Sequence, residues 1–254
     1  MTQAASVTAA LLVIGDEILS GRTKDQNIYY VADYLSKIGI DLREVRVVPD
    51  MTAEIVAAVN ALRARYDYLF TTGGIGPTHD DITAGAVAAA LNVEIAEDPR
   101  AMKLLLERIK PGDLNEARRR MARIPNGARL IANKISAAPG FWIANVIVMA
   151  GVPAIMQVML DDVAPKLKTG APMIVETIPA GGLFEGAYAE TLGDLAAAHP
   201  ELSIGSYPAF RDGGLHNEIV VRGKDAAKVA AAAAAIGVMV ARLAKAGLSL
   251  DARK

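Results

Sequence analysis

Thr71-Thr72-Gly73-Gly74-Ile75-Gly76-Pro77-Thr78-His79-Asp80-Asp81-Ile82-Thr83 joins an apolar run at 67–72 to a stretch at helical spacing over 80–91. Glycines between a strand and a helix let backbone N–H groups approach an anion with no side chain in the way. The helix that follows adds unpaired N–H groups and the positive end of its dipole. Asp80 and Asp81 would repel an anion held there, and a divalent cation bridging carboxylate and phosphate oxygens removes that conflict. Plainer readings stand beside this one. Thr78 with Asp81 fits a capping box, Asp80 suits a first helical turn, and the glycines suit a simple turn.

Outward from this loop, short apolar runs alternate with helical patterns. Val7–Ile14 reads as a buried strand ending at Gly15. Residues 25–38 place Ile28, Val31, Ala32, Leu35 and Ile38 on one helical face, closed by Gly39. A strand over 41–48, a helix over 52–64 and the strand at 67–72 follow. After the 80–91 helix come helices over 99–109 and 114–122, one apolar strand over 142–149, and a helix over 154–164. Strands separated by helices predict an α/β fold, a three-layer α/β/α arrangement with a mostly parallel sheet covered on both faces. Right-handed crossovers then gather the loops after the strands along one edge, where ligands sit in such folds.

Residues 165–172, with a proline at each end and Gly170 between, read as a connector. Beyond it the order changes to a strand over 173–178, a helix over 183–197, strands over 202–207 and 216–222 around Arg211-Asp212-Gly213-Gly214, and an Ala-rich helix over 225–245. This β-α-β-β-α order predicts a small α+β domain. The expected domains are therefore 1–168 and 173–254.

Composition removes several functional classes. Among 254 residues the formal net charge is −1, so no basic field exists to draw nucleic acid, and none is expected as partner. The absence of cysteine excludes disulfides, thiolate metal sites and cysteine nucleophiles, and fits a reducing compartment. Residues 1–8 lack the charged and apolar regions of a signal peptide, and the apolar stretches 9–14 and 141–149 are too short to span a bilayer. A cytoplasmic protein without a membrane partner is expected. No Gly-x-Ser-x-Gly, Walker loop or Cys/His cluster is present to support acyl transfer or P-loop chemistry.

Gly15-Asp16-Glu17-Ile18-Leu19-Ser20-Gly21, with Asp25 and Asn27 after it, also follows a strand. Its carboxylates either meet Asp80 and Asp81 in space or belong to a solvated turn. Asn133, Ala138-Pro139-Gly140 and Gly151-Val152-Pro153 are either pocket segments or bends. His79 is either a donor to phosphate or an exposed loop histidine, while His199 and His216 read as structural. Arg118, Arg119, Arg120 and Arg123 form a basic strip, either a solvated helix face or a guide for an anionic ligand.

These motifs in this order resemble the molybdopterin-binding (MoaB/Mog-like) superfamily, most closely its CinA (competence/damage-inducible protein A) branch. The match rests on Gly15 to Leu19 with Gly21, Asp25 and Asn27; on Thr71 to Thr83; on Ile124-Pro125, Ala128, Leu130 and Asn133; and on Ala138-Pro139-Gly140, Gly151-Val152-Pro153 and Met156. It covers roughly residues 7–168. Glu185-Gly186 and Gly205-Ser206-Tyr207-Pro208 look like segments of the small domain that follows in CinA proteins. The nicotinamide-nucleotide deamidase domain of full-length CinA is not expected after Lys254. Ala150 stands where the family often has proline, and Ser136-Ala137 where many relatives have Gly-Thr. A similar pattern occurs in the molybdopterin-binding-like half of eukaryotic FAD synthetases.

The resemblance implies a pocket for a phosphorylated small molecule, a nucleotide or molybdopterin. CinA-type modules are associated with metal-dependent cleavage of ADP-ribose, whereas Mog-like relatives adenylylate molybdopterin. Carried onto this sequence, Gly15, Thr72, Gly73, Gly74, Gly76, Thr78, Asn133, Pro139, Gly140, Gly151 and Pro153 would contact ligand and its phosphates. Asp16, Glu17, Asp80 and Asp81 would hold a divalent ion of Mg or Co type, with Asp16 and Asp81 catalytic. Such relatives are commonly homo-oligomers, dimers or trimers. The leading reading is a nucleotide pyrophosphatase. Molybdopterin adenylylation and a non-catalytic binding module are the alternatives.

Overall fold

Every residue of the first strand from Ala9 to Ile14 is buried, which requires cover on both faces of the sheet it belongs to. In β1 (Val7–Ile14), Ala10, Leu12 and Ile14 pack into one hydrophobic cluster, and the alternate Ala9, Leu11 and Val13 into another. An apolar residue at every position of a period-two strand demands protein on either side. The computed structural model describes residues 6–208, 210–211 and 214–247. Its contacts divide into two compact units, 1–170 and 171–254.

In the first unit β1 is followed by α1 (Asp16–Leu19), α2 (Asn27–Lys37), β2 (Ile40–Val48), α3 (Thr52–Arg65) and β3 (Tyr68–Thr72). Next come α4 (Thr83–Leu91), β4 (Ile95–Glu97), α5 (Pro99–Leu106), α6 (Glu116–Arg120), β5 (Arg123–Pro125) and β6 (Arg129–Ile131). The unit ends with β7 (Gly140–Ile143), β8 (Val146–Met149) and α7 (Pro153–Val163). The main sheet has the order β2-β1-β3-β8-β7-β6. β2, β1, β3 and β8 run parallel, and β7 is the reversed strand, antiparallel to both β8 and β6. Residues of α3, α4 and α5 cover one face of it, and residues of α2 and α7 the other. The expected mostly parallel three-layer α/β fold is present.

Four expected elements need correction. The run at 142–149 is not one strand but the β7–β8 hairpin, reversed at Ala144 with φ 50°. Asn145 fixes this turn by donating its side-chain amide to the carbonyls of Arg63 and Tyr66 at 2.9 and 3.0 Å. The helix expected from residue 80 begins only at Thr83. Its first turn is displaced because Thr83 donates its backbone N–H to the Gly74 carbonyl (3.0 Å) and its hydroxyl to that of Gly73 (3.0 Å). The helices expected over 99–109 and 114–122 are the shorter α5 and α6.

The second unit contains β9 (Ile174–Gly181), α8 (Ala189–Ala198), β10 (Ser203–Tyr207), β11 (Phe210–Arg211), β12 (Gly214–Leu215), β13 (Asn217–Gly223) and α9 (Ala226–Lys245). Antiparallel β10-β13-β9 form its sheet. β11 and β12 pair across the turn expected there, of which Asp212 and Gly213 lie outside the described residues. The Asp225 carboxylate caps α9 by accepting from the backbone N–H groups of Ala227 and Lys228. By length and composition α9 could cross a membrane, with mean hydropathy 1.7 over its most apolar window. Its stripe of Val229, Ala232, Ile236 and Met239 is instead buried in this unit's core.

Candidate functional site

Parallel pairing brings the carboxyl ends of β1, β2, β3 and β8 to one edge of the sheet. The segments that leave those ends lie against one another. Gly15 donates its N–H to Val48 at the end of β2 (3.1 Å), and Gly73 donates to Met149 at the end of β8 (3.2 Å). Gly73 has φ 103°, and a Cβ there would sit 2.1 Å from the Ile14 carbonyl oxygen. At Gly74, φ 67°, a Cβ would meet the Thr83 hydroxyl at 2.1 Å. Both positions therefore demand glycine through close backbone approach as well as through left-handed geometry.

The hydrogen bonds decide which amides remain for a ligand. The N–H of Gly73 is held by Met149 and that of Gly76 by Asp81. The N–H groups of Gly74 and Ile75 have no partner among the described residues. The buried side-chain oxygens of Thr71 and Thr72 at the end of β3, and of Asn27, are equally without one. Asn27 is anchored here because its amide donates to the Gly151 carbonyl at 2.8 Å. Native interiors pair such groups, so a concentration of unpaired ones at a strand edge marks a place for polar ligand atoms.

Residues 10–169 match the family model described as "Probable molybdopterin binding domain". The chain belongs to that family, in its CinA-like branch. The crystal structure of CinA from Thermoplasma acidophilum is 30% identical in sequence, with TM-score 0.61, covering 64% of this chain and 99% of that one. A CinA-like protein of Desulfosudis oleivorans is 37% identical over 78% of this chain and 51% of its own length. A protein of Caenorhabditis briggsae named "Probable FAD synthase" is 29% identical over 81% of this chain and 44% of its own length. Residues 181–244 match the model described as "FAD synthase, middle domain".

In this CinA-like chain the Asp81 carboxylate ties the glycine loop to itself. One oxygen accepts from the Gly76 N–H (2.6 Å), and the other from the Thr78 N–H (2.7 Å) and Thr78 hydroxyl (2.5 Å). This is loop closure two residues before the helix, not the helix cap that Thr78 and Asp81 suggested in sequence. Asp80 is exposed on the outer limb, its carboxyl held below the usual range by Thr78, its own backbone N–H and the charge of His79.

Asp50, which the sequence reading passed over, sits at the end of β2 and accepts the Asp16 backbone N–H at 2.9 Å. Burial raises its carboxyl, and the charges of Asp16, Glu17 and Asp80 push it further. Four carboxylates thus share one field, with members from the loops after β1, β2 and β3. The signal available was position alone: Pro49-Asp50 directly follows a parallel strand.

The remaining candidates divide by what engages them. Asn133 is 7% exposed, and its side chain serves its own turn. It donates to the Ser136 hydroxyl and the Ala138 carbonyl and accepts from the backbone N–H groups of Ile135 and Ser136. Pro139 and Gly140 lie at the start of β7, and a Cβ at Gly140 would lie 2.4 Å from the Val148 carbonyl oxygen, so packing against β8 accounts for that glycine. Gly151 and Pro153 lead into α7, where proline suits the first turn.

A resident divalent ion fits these residues poorly. Both Asp81 oxygens are engaged within the loop, and among the described residues no three His, Asp or Glu side chains group closely enough to hold a metal.

Proposed function

We propose that this edge binds a nucleotide through its phosphates and hydrolyses a phosphoanhydride, with an ADP-ribose-like dinucleotide as substrate. The observation that carries the reading is the pair of unpartnered amides, Gly74 and Ile75, set beside the unpaired hydroxyl of Thr72. Backbone N–H groups in a left-handed turn form a concave anion site, and they also stabilise charge that grows on phosphoryl oxygens during cleavage. Asp50 supplies the proton acceptor. A carboxyl raised by burial and by neighbouring carboxylates is a stronger base than an ordinary aspartate. In the step proposed, water attacks phosphorus, its proton passes to Asp50, and the bridging P–O bond breaks to release AMP and a sugar phosphate.

Asp16, Glu17 and Asp80 do not group into a resident site, so a divalent cation would arrive on the substrate's own phosphates, with these carboxylates adding only their charge. The match to a molybdopterin-binding model agrees with a pterin or nucleotide ligand. The test is chromatography of ADP-ribose incubated with the protein and divalent metal, beside Asp50→Asn. AMP from wild type and a loss of about 100-fold in the variant are expected. Intact ADP-ribose under every metal tried rejects the reading.

A second reading follows from the FAD synthase middle-domain match and the FAD synthase relative. Here the same edge would transfer an adenylyl group to a phosphorylated cofactor precursor. ATP consumption that begins only when a phosphorylated pterin or flavin is added would favour it.

A further inference from the structure

On the outer side of the glycine loop lies a cavity of about 450 Å³, bordered by His79, Ile82, Gly85, Ile95, Arg120 and Arg123. The basic strip is divided in its use. Arg119 forms a two-point pair with Glu97 at 2.9 and 2.6 Å, and Arg118 donates to the Asp113 carbonyl at 2.9 Å. The guanidinium groups of Arg120 and Arg123, by contrast, have no hydrogen-bond or ion-pair partner among the described residues. Glu97 stands opposite Arg123 across the β4–β5 pair; it is held at close range by Arg119 and also feels the charge of Arg123. Asp81 on the near wall is tied to the loop amides. Arg120 and Arg123 thus face the cavity together with Asp81, Glu97 and Glu116, of which Asp81 and Glu97 are already engaged by other donors.

The floor carries a second observation. Gly85 is an interior residue of α4, where alanine is favoured over glycine by about 1 kcal/mol. A Cβ at Gly85 would touch nothing within 4 Å, so no packing contact in the chain requires the glycine. Gly85 lines the cavity with Ile82 and Ile95, and its bareness leaves that side open. An open side bordered by Ile82 and Ile95, with two arginines that make no hydrogen bond among the described residues, fits a ring that carries a phosphate.

We infer that this cavity is the subsite for the second half of the substrate, a nucleoside monophosphate unit with its phosphate on Arg120 and Arg123 and its base over Gly85. The inference rests on the phosphoanhydride reading of the adjoining loop, which would hold the other phosphate.

Calorimetry with two probes separates the two claims, AMP for the cavity and inorganic pyrophosphate for the loop. The double variant Arg120→Gln/Arg123→Gln should weaken AMP binding at least about ten-fold, as expected when charge-assisted phosphate contacts are removed. Pyrophosphate binding should be retained. Gly85→Leu fills the floor and should abolish AMP binding with the same retention, while Gly85→Ala should raise Tm and weaken AMP binding. No AMP binding by wild type, or unchanged AMP affinity in the double variant and Gly85→Leu, overturns the inference. AMP bound as described with pyrophosphate unbound upholds the cavity and rejects the reading of the loop.

Discussion

The Asp50 carboxylate accepts the backbone N–H of Asp16 at 2.9 Å, joining the end of β2 to the segment after β1. This bond holds a negative charge where burial, Asp16, Glu17 and Asp80 all disfavour it. The folded-state pKa therefore lies above the ordinary 3.8. Stability falls as pH rises from about that ordinary value through the raised one, and the penalty stays constant above it.

Asp50→Asn should relieve the penalty, because its carbonyl oxygen can still accept from Asp16. At neutral pH the variant should be more stable than wild type. The gain should vanish near pH 3. Thermal unfolding at the two pH values measures it. A variant equally destabilised at both would show that the carboxylate is needed for structure and would undercut its role as a base.

Asp81 closes the loop through three donors, so Asp81→Ala should leave the Gly76 and Thr78 amides searching for water. A cost of about 1–3 kcal/mol is expected, together with faster hydrogen exchange at Gly76 and Thr78. Asp81→Asn keeps one acceptor oxygen and should fall between. If exchange at these amides is unchanged in Asp81→Ala, the carboxylate does not organise the loop.

The legible and illegible parts of this chain differ in range. β1 was readable to the residue, because eight consecutive apolar or small residues between polar ends leave few alternatives. The glycine loop was readable as a backbone site, since Gly73 and Gly74 do adopt positive φ. What failed was the partner of each group. Asp81 read as helix cap or ligand, yet its acceptors are turned inward to Gly76 and Thr78, a choice set by loop geometry rather than residue type. The β7–β8 hairpin was hidden because Ala144 and Asn145 interrupt an apolar run without glycine or proline. β4, β5 and β6 are three residues each, too short for periodicity to register. Asp50 belonged to no motif and was visible only once the strands were placed side by side.

Gly73→Ala tests whether the loop's close approach to β1 is structural. The added carbon would lie 2.1 Å from the Ile14 carbonyl oxygen, on a residue with φ 103°. Backbone on both sides leaves no flexible neighbour to yield, so a loss of about 2–3 kcal/mol is expected in urea unfolding. Gly112, with no atom within 4 Å of its Cβ position, serves as the control, and its alanine variant should unfold within about 0.5 kcal/mol of wild type. Equal stability of both variants would mean that the loop moves freely away from β1.

The last prediction concerns the order in which metal and nucleotide bind. Asp16, Glu17, Asp50 and Asp80 share a field without forming a grouped ligand set, and Asp81 is engaged elsewhere. A cation arriving alone would meet charge without enough fixed oxygens to replace its water. Substrate phosphates would supply the missing oxygens. Mg or Co titrated into the protein alone should therefore bind weakly, and addition of ADP-ribose should tighten it by about ten-fold or more. Linkage requires the same factor in reverse, so metal must raise ADP-ribose affinity equally. Calorimetry in both orders measures the two factors. Tight metal binding without nucleotide would show instead that these carboxylates rearrange into a resident site.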